Sequence, residues 1–193
     1  MRPRITLDEA FARHGSSGGS AVAATDIELL DGILVRRSRP SAMVVATVVR
    51  IASELDRYTH ALDLDVRGAL ACPPHDLLRP EVTLRRVVPP HRRRPAPGPD
   101  TVVLAILVGD DEGETAWRAR RCAAVGIEEL WTLSPGDGHA VRLSAPRGGV
   151  YSARDLILPG ERVAVAAAPS VVIAPVARTL AVGPHSSPTG TRR

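Results

Sequence analysis

The chain contains no lysine, asparagine or glutamine; all 25 of its basic residues are arginine. No chemistry here can rest on a lysine, whether as a Schiff base or as an ammonium that positions a water. Aromatic residues are few: Phe11, Tyr58, Trp117, Trp131 and Tyr151. Single-stranded nucleic acid is held by stacking on several exposed rings, and so few scattered rings argue against that mode. The two cysteines, Cys72 and Cys122, form neither a CxxC nor a zinc spacing. Both sit in apolar surroundings and read as buried free thiols in a reducing compartment. The N-terminus lacks the apolar core of a signal peptide. No apolar run approaches the roughly 20 residues of a membrane span. The expectation is a cytoplasmic protein with no membrane partner. A Gly-rich phosphate loop after a strand and a GxSxG elbow are both missing as well.

A chain of 193 residues suggests one domain. Hydrophobic content of 44% and charged content of 24% fit a globular protein. The net charge of +4 helps to attract a polyanion, but it is equally an ordinary basic surface.

Residues 6–14, TLDEAFARH, start like a capped helix, with Thr6 ahead of Asp8 and Glu9. SSGGS (16–20) reads as a flexible loop. In DIELLDGILVRR (26–37) two short apolar runs flank Asp31-Gly32, the signal of a type I′ hairpin turn. Residues 41–58 read as a helix with Val44, Val48, Ile51 and Leu55 on one face. Strands are expected near 63–71, 80–87 and 101–108, the last with eight almost wholly apolar residues. The Pro/Arg stretch 89–99 cannot be regular structure. A helix over 111–126 ends at Gly126, and strands at 128–135 and 139–145 flank Pro135-Gly136-Asp137-Gly138. Short strands near 149–152, 162–167 and 170–174 complete the pattern, and 183–193 reads as a disordered tail. The fold class implied is α/β or α+β with a central mixed sheet.

Three stretches resemble one family. IELLDGILV (27–35) resembles its hairpin, LRPEVTL (78–84) its PD-containing strand, and PDTVVLAILV with RARRCAAVGIEELW (99–131) a block that aligns without a gap from Pro99 to Trp131. PSVVIAPVARTL (169–180) is similar to its closing segment. The family is the Uma-two group of restriction-endonuclease-like proteins, within the PD-(D/E)XK nuclease superfamily. The resemblance implies a single restriction-endonuclease-like domain over 26–182, preceded by an N-terminal helix and loop in 1–25. It implies hydrolysis of DNA phosphodiesters with Mg²⁺.

Such chemistry needs carboxylates that converge from adjacent strands on a hard cation, which activates a water and neutralises the phosphate. By resemblance, Glu28 matches the hairpin glutamate and Glu81 stands at the first acid; these two are the candidate metal ligands. A glutamate in place of aspartate moves the carboxylate by about 1.5 Å, one C–C bond. Leu104 stands where the strand carries its catalytic acid, and Arg118 where the helix carries its lysine. Leucine binds no cation, and a guanidinium stays protonated. The expectation is therefore a degenerate nuclease, inactive or severely impaired, with Mg²⁺ expected from the family and no cofactor at all as the other reading. Arg118 bound to Glu81 would replace a metal with another cation. Duplex DNA is the implied partner, with Arg92, Arg93 and Arg94 as backbone contacts; a homodimer stays open. The alternatives are an active enzyme with a third ligand from Asp100 or Asp76, and a non-catalytic DNA-binding or protein-interaction module. His60, Asp63 and Asp65, with His75-Asp76 nearby, are a weaker candidate metal group whose spacing matches no known cluster.

Overall fold

The computed structural model describes residues 4–10, 27–62, 64–67, 69–87 and 98–177. Chain entry is set by a capping box: Thr6 N donates to Glu9 Oε2 at 2.7 Å and Glu9 N to Thr6 Oγ1 at 3.2 Å. A helical turn follows at 7–10. The hairpin comes next, β1 (Ile27–Leu30) and β2 (Ile33–Arg36). Asp31 and Gly32 both have positive φ, 53° and 74°, as a type I′ turn demands.

Helix α1 (Ala42–Leu62) starts at Ser41, whose Oγ accepts from Val44 N at 3.2 Å. It runs four residues beyond the expected end. Val44, Ile51 and Leu55 are buried and Val48 partly so, which is the face that the spacing predicts. The stretch expected as one strand is two. β3 (Leu64–Arg67) and β4 (Leu70–Cys72) belong to different sheets. β5 (Asp76–Leu78) and β6 (Val82–Arg86) follow.

A 3₁₀ turn at Pro99–Thr101 leads into β7 (Val102–Val108). Helix α2 (Glu112–Ala124) is capped by Asp111, whose side chain accepts from Glu114 N at 2.8 Å. It ends in a Schellman motif. Ile127 N bonds Cys122 O, Gly126 N bonds Ala123 O, and Gly126 takes φ 82°. β8 (Glu129–Ser134), β9 (His139–Arg147), β10 (Val150–Ile157), β11 (Val163–Val165) and β12 (Ala168–Ile173) complete the chain. β10 is twice the expected length.

The fold is α+β with a central mixed sheet of order β10-β9-β8-β7-β6-β3, in which β7–β8 is the parallel pair and α2 the crossover. α1 covers one face and α2 the other. Side chains alternate along β7: Leu104, Ile106 and Val108 join the α1-side core, and Ala105 and Leu107 the α2-side core with Ala119 and Cys122. The β11–β12 hairpin packs on α1, where Tyr58 OH donates to Val172 O at 3.0 Å. The smaller sheet β2-β1-β5-β4 lies beside the α2-side core. No helix among the described residues is long and apolar enough to cross a membrane.

Candidate functional site

Three elements converge where β1, the start of β6 and the buried face of α2 meet. Glu28, on β1, is 2% exposed, although it sits in a hairpin whose other strand faces solvent. Its Oε1 accepts from Arg79 N at 2.7 Å and from Arg118 Nη2 at 3.2 Å. Glu81 lies just before β6. Its Oε2 accepts from Val108 N at 2.9 Å, and its Oε1 from Arg118 Nη1 at 3.1 Å. Arg37, just after β2, forms an ion pair with the same Oε1. Arg118 Nη2 also donates to Arg79 O at 2.7 Å. Leu78, Leu107 and Cys122 supply apolar walls.

A guanidinium is the cation suited to this place. Its planar fork presents donors in fixed directions, so Nη1 takes Glu81 while Nη2 takes Glu28 and a carbonyl. Burial holds the Arg37 guanidinium below the usual arginine range, and the neighbouring Arg118 charge adds to the effect. Arg37 remains a cation in any case, because arginine does not lose its proton in proteins.

Sequence resemblance brings Glu28, Glu81 and Arg118 forward, and the structure joins all three. It does not bring Leu104 to them. Leu104 is fully buried on the α1 side, opposite Leu84 in the β6–β7 register. A carboxylate at 104 would enter the α1-side core. The β7 side chain that lines the cavity with Glu28 and Arg118 is Leu107, which the ungapped count does not reveal. Asp100 sits in the 3₁₀ turn before β7. Asp76 is held elsewhere: Arg121 grips it with Nε at 3.0 Å and Nη2 at 2.6 Å, and its Oδ1 caps Asp31 N at 2.8 Å. His75 faces Ile5 O. Arg92, Arg93, Arg94 and Asp63 lie outside the described residues.

Sequence reasoning missed Arg37 and Arg121 as partners. Arg121 leaves a trace, because Arg118 and Arg121 fall three apart on a helix that must bury Ala119 and Cys122. Arg37 leaves none, since its contact spans 44 residues.

A divalent cation of the Mg²⁺ type asks for about six oxygens, several of them anionic. Here both carboxylates are engaged by Arg118, Arg37 and two backbone N–H groups. Among the described residues no three His, Cys, Asp or Glu side chains come together to hold a metal ion. The residues at this point do not fit the ion that the resemblance implies. Burial pushes the Cys122 and Cys72 thiols up to about 12, so both are protonated at neutral pH and neither is an activated nucleophile.

An open cleft of about 230 Å³ lies over the group, lined by Arg37, Ser38, Arg39, Asp110, Glu114 and Arg118 among others. Two of its acids have local roles. Asp111 caps α2, and Glu114 accepts from Ser38 Oγ at 3.0 Å.

No protein-family model matches the chain, and no curated protein matches it in sequence. A solved structure does share the fold. It is described as a putative nuclease belonging to DUF820 from Anabaena variabilis ATCC 29413. The superposition gives a TM-score of 0.66 at 13% identity, over 89% of this chain and 95% of that one.

Proposed function

We propose that this chain is a catalytically silent protein of the restriction-endonuclease-like type, in which an internal guanidinium holds the place between the acids that a catalytic cation would take. One observation supports the reading above all. Arg118 engages Glu28 and Glu81 together, at 3.2 and 3.1 Å, inside the protein. The shared fold with a protein described as a putative nuclease supports the same lineage. Phosphodiester hydrolysis in such a site needs an acidified water and a neutralised phosphate. A guanidinium fixed by two glutamates acidifies no water. Duplex DNA is the ligand that the resemblance suggests, through Arg92–Arg94 and the net charge of +4. Binding of that kind falls steeply with salt.

The test is cleavage of supercoiled plasmid with Mg²⁺ or Mn²⁺. The natural protein and Glu81→Ala should both leave the plasmid intact. Metal-dependent nicking that disappears in Glu81→Ala would overturn the proposal.

A further inference from the structure

The outer face of α1 changes character along its length. Past Arg50 it is ordinary, with Ser53, Asp56 and Arg57 exposed. Before Arg50 it is apolar: AMVVATVV (42–49) carries no charge, and Ala42, Met43, Val45, Ala46 and Val49 are all exposed, Met43 to 53% and Val49 to 59%. Ala42, Val45, Ala46 and Val49 follow the three-and-four spacing of a single helix face, so they form a stripe rather than scattered residues. A contiguous apolar patch on a surface marks a contact.

The chain that leaves β12 is aimed at this stripe. Tyr58 OH donates to Val172 O, while Arg50 donates from Nη1 to Ala174 O at 2.8 Å and from Nη2 to Pro175 O. Between 172 and 175 the contact therefore moves about two helical turns toward the start of α1. Long side chains on a helix lean toward its N-terminus, so Arg50 meets the chain over the turn that holds Ala46. The exit is fixed, because Val176 packs against the α1-side core and its carbonyl accepts from Gly160 N at 3.0 Å. Ala46 and Met43 precede Arg50 by four and seven residues and share its side of the helix.

Arg178 and Thr179 come next in the sequence, then Leu180, Ala181 and Val182. Five extended residues reach about 17 Å, and the helix from Met43 to Arg50 rises about 10 Å. We propose that residues 178–182 form a strap along the first half of α1, with Leu180 and Val182 over Met43, Ala46 and Val49. Where the described chain ends, its heading, and the apolar character of both surfaces select this occupant. So does the tether: a segment a few residues from a fixed anchor is present at about millimolar local concentration, whereas a second copy must be drawn from dilute solution. The inference does not depend on the Glu81 site.

The test is the rate at which a thiol reagent labels Met43→Cys in the full chain, against a background in which Cys72 and Cys122 are buried. The rate should be at least tenfold lower than in the same variant carrying Leu180→Asp and Val182→Asp. Serine at 180 and 182, a milder change, should raise the rate in the same direction. Val150→Cys, on exposed β10, should label at one rate with and without the strap substitutions. Cys72 and Cys122 should stay unlabelled throughout, which shows that those substitutions leave the fold intact. Hundredfold dilution should not change the protection of position 43. Equal rates with and without the strap substitutions would overturn the proposal. Protection lost on dilution would overturn it as well, and would assign the stripe to a second copy of the chain.

Discussion

Replacing Arg118 with methionine isolates the central group. Methionine keeps much of the arginine stem's volume but removes the charge. Glu28 and Glu81 would then face each other with side-chain exposures of 2% and 7% and no cation between them. Arg37 would still neutralise part of Glu81, whereas Glu28 would keep only the Arg79 N–H. The Arg79 carbonyl would also lose its donor. Removing one partner of a buried ion pair costs about 3–5 kcal/mol. For a chain of this length each kcal/mol moves the melting point by about 2–4 °C, so the loss should be roughly 6–20 °C. Urea unfolding followed by circular dichroism gives the free energy directly. The triple variant Arg118→Met, Glu28→Gln, Glu81→Gln should recover most of the loss, because no buried carboxylate remains unpaired and Arg37 keeps an outlet to solvent. A single variant within about 1 kcal/mol of the natural protein would refute the reasoning, as would a triple variant no better than the single.

Asp76→Ala should destabilise by about 2–3 kcal/mol, since it frees Arg121 and uncaps Asp31 N; chemical denaturation measures it. Gly32→Ala should cost more than Gly126→Ala. Both have positive φ, worth about 1–2 kcal/mol for an L-residue, but a Cβ at 32 would also lie 2.8 Å from Arg4 Cβ while one at 126 meets nothing. The thiols give a pH dependence. Their folded pKa of about 12 lies above the ordinary 9.0, so the stability they lend is full below pH 9 and declines toward pH 12, by about 1.4 kcal/mol per pH unit for each thiol once the unfolded chain ionises. Alanine at both positions should flatten the fall in melting temperature between pH 9 and 11, and a thiol reagent at pH 8 should label neither cysteine until the chain is unfolded.

Local chemistry was legible where it is decided locally. Asp31-Gly32 specifies a turn with two positive φ angles, and Gly126 a helix stop, because few other residues meet those backbone demands. The α1 face follows from spacing alone. What failed was non-local. Residues 63–71 read as one strand, yet β3 pairs with β6 and β4 with β5, and no local pattern tells the two sheets apart. β10 was read short because it is exposed along most of its length and so shows little apolar alternation. At the site, motif order identified Glu28, Glu81 and Arg118, whose approach depends on the fold they share. Leu104 shows the limit of counting. One step along a strand reverses the face, and the β7 side chain beside Glu28 and Arg118 is Leu107.

The most direct measurement is a manganese titration followed by electron paramagnetic resonance of the free ion, on the natural protein and on Arg118→Met. The account predicts no site dependent on Glu28 and Glu81 in the natural protein, and a new one in the variant that Glu81→Gln removes. Manganese bound stoichiometrically by the natural protein, and lost in Glu81→Gln, would contradict it.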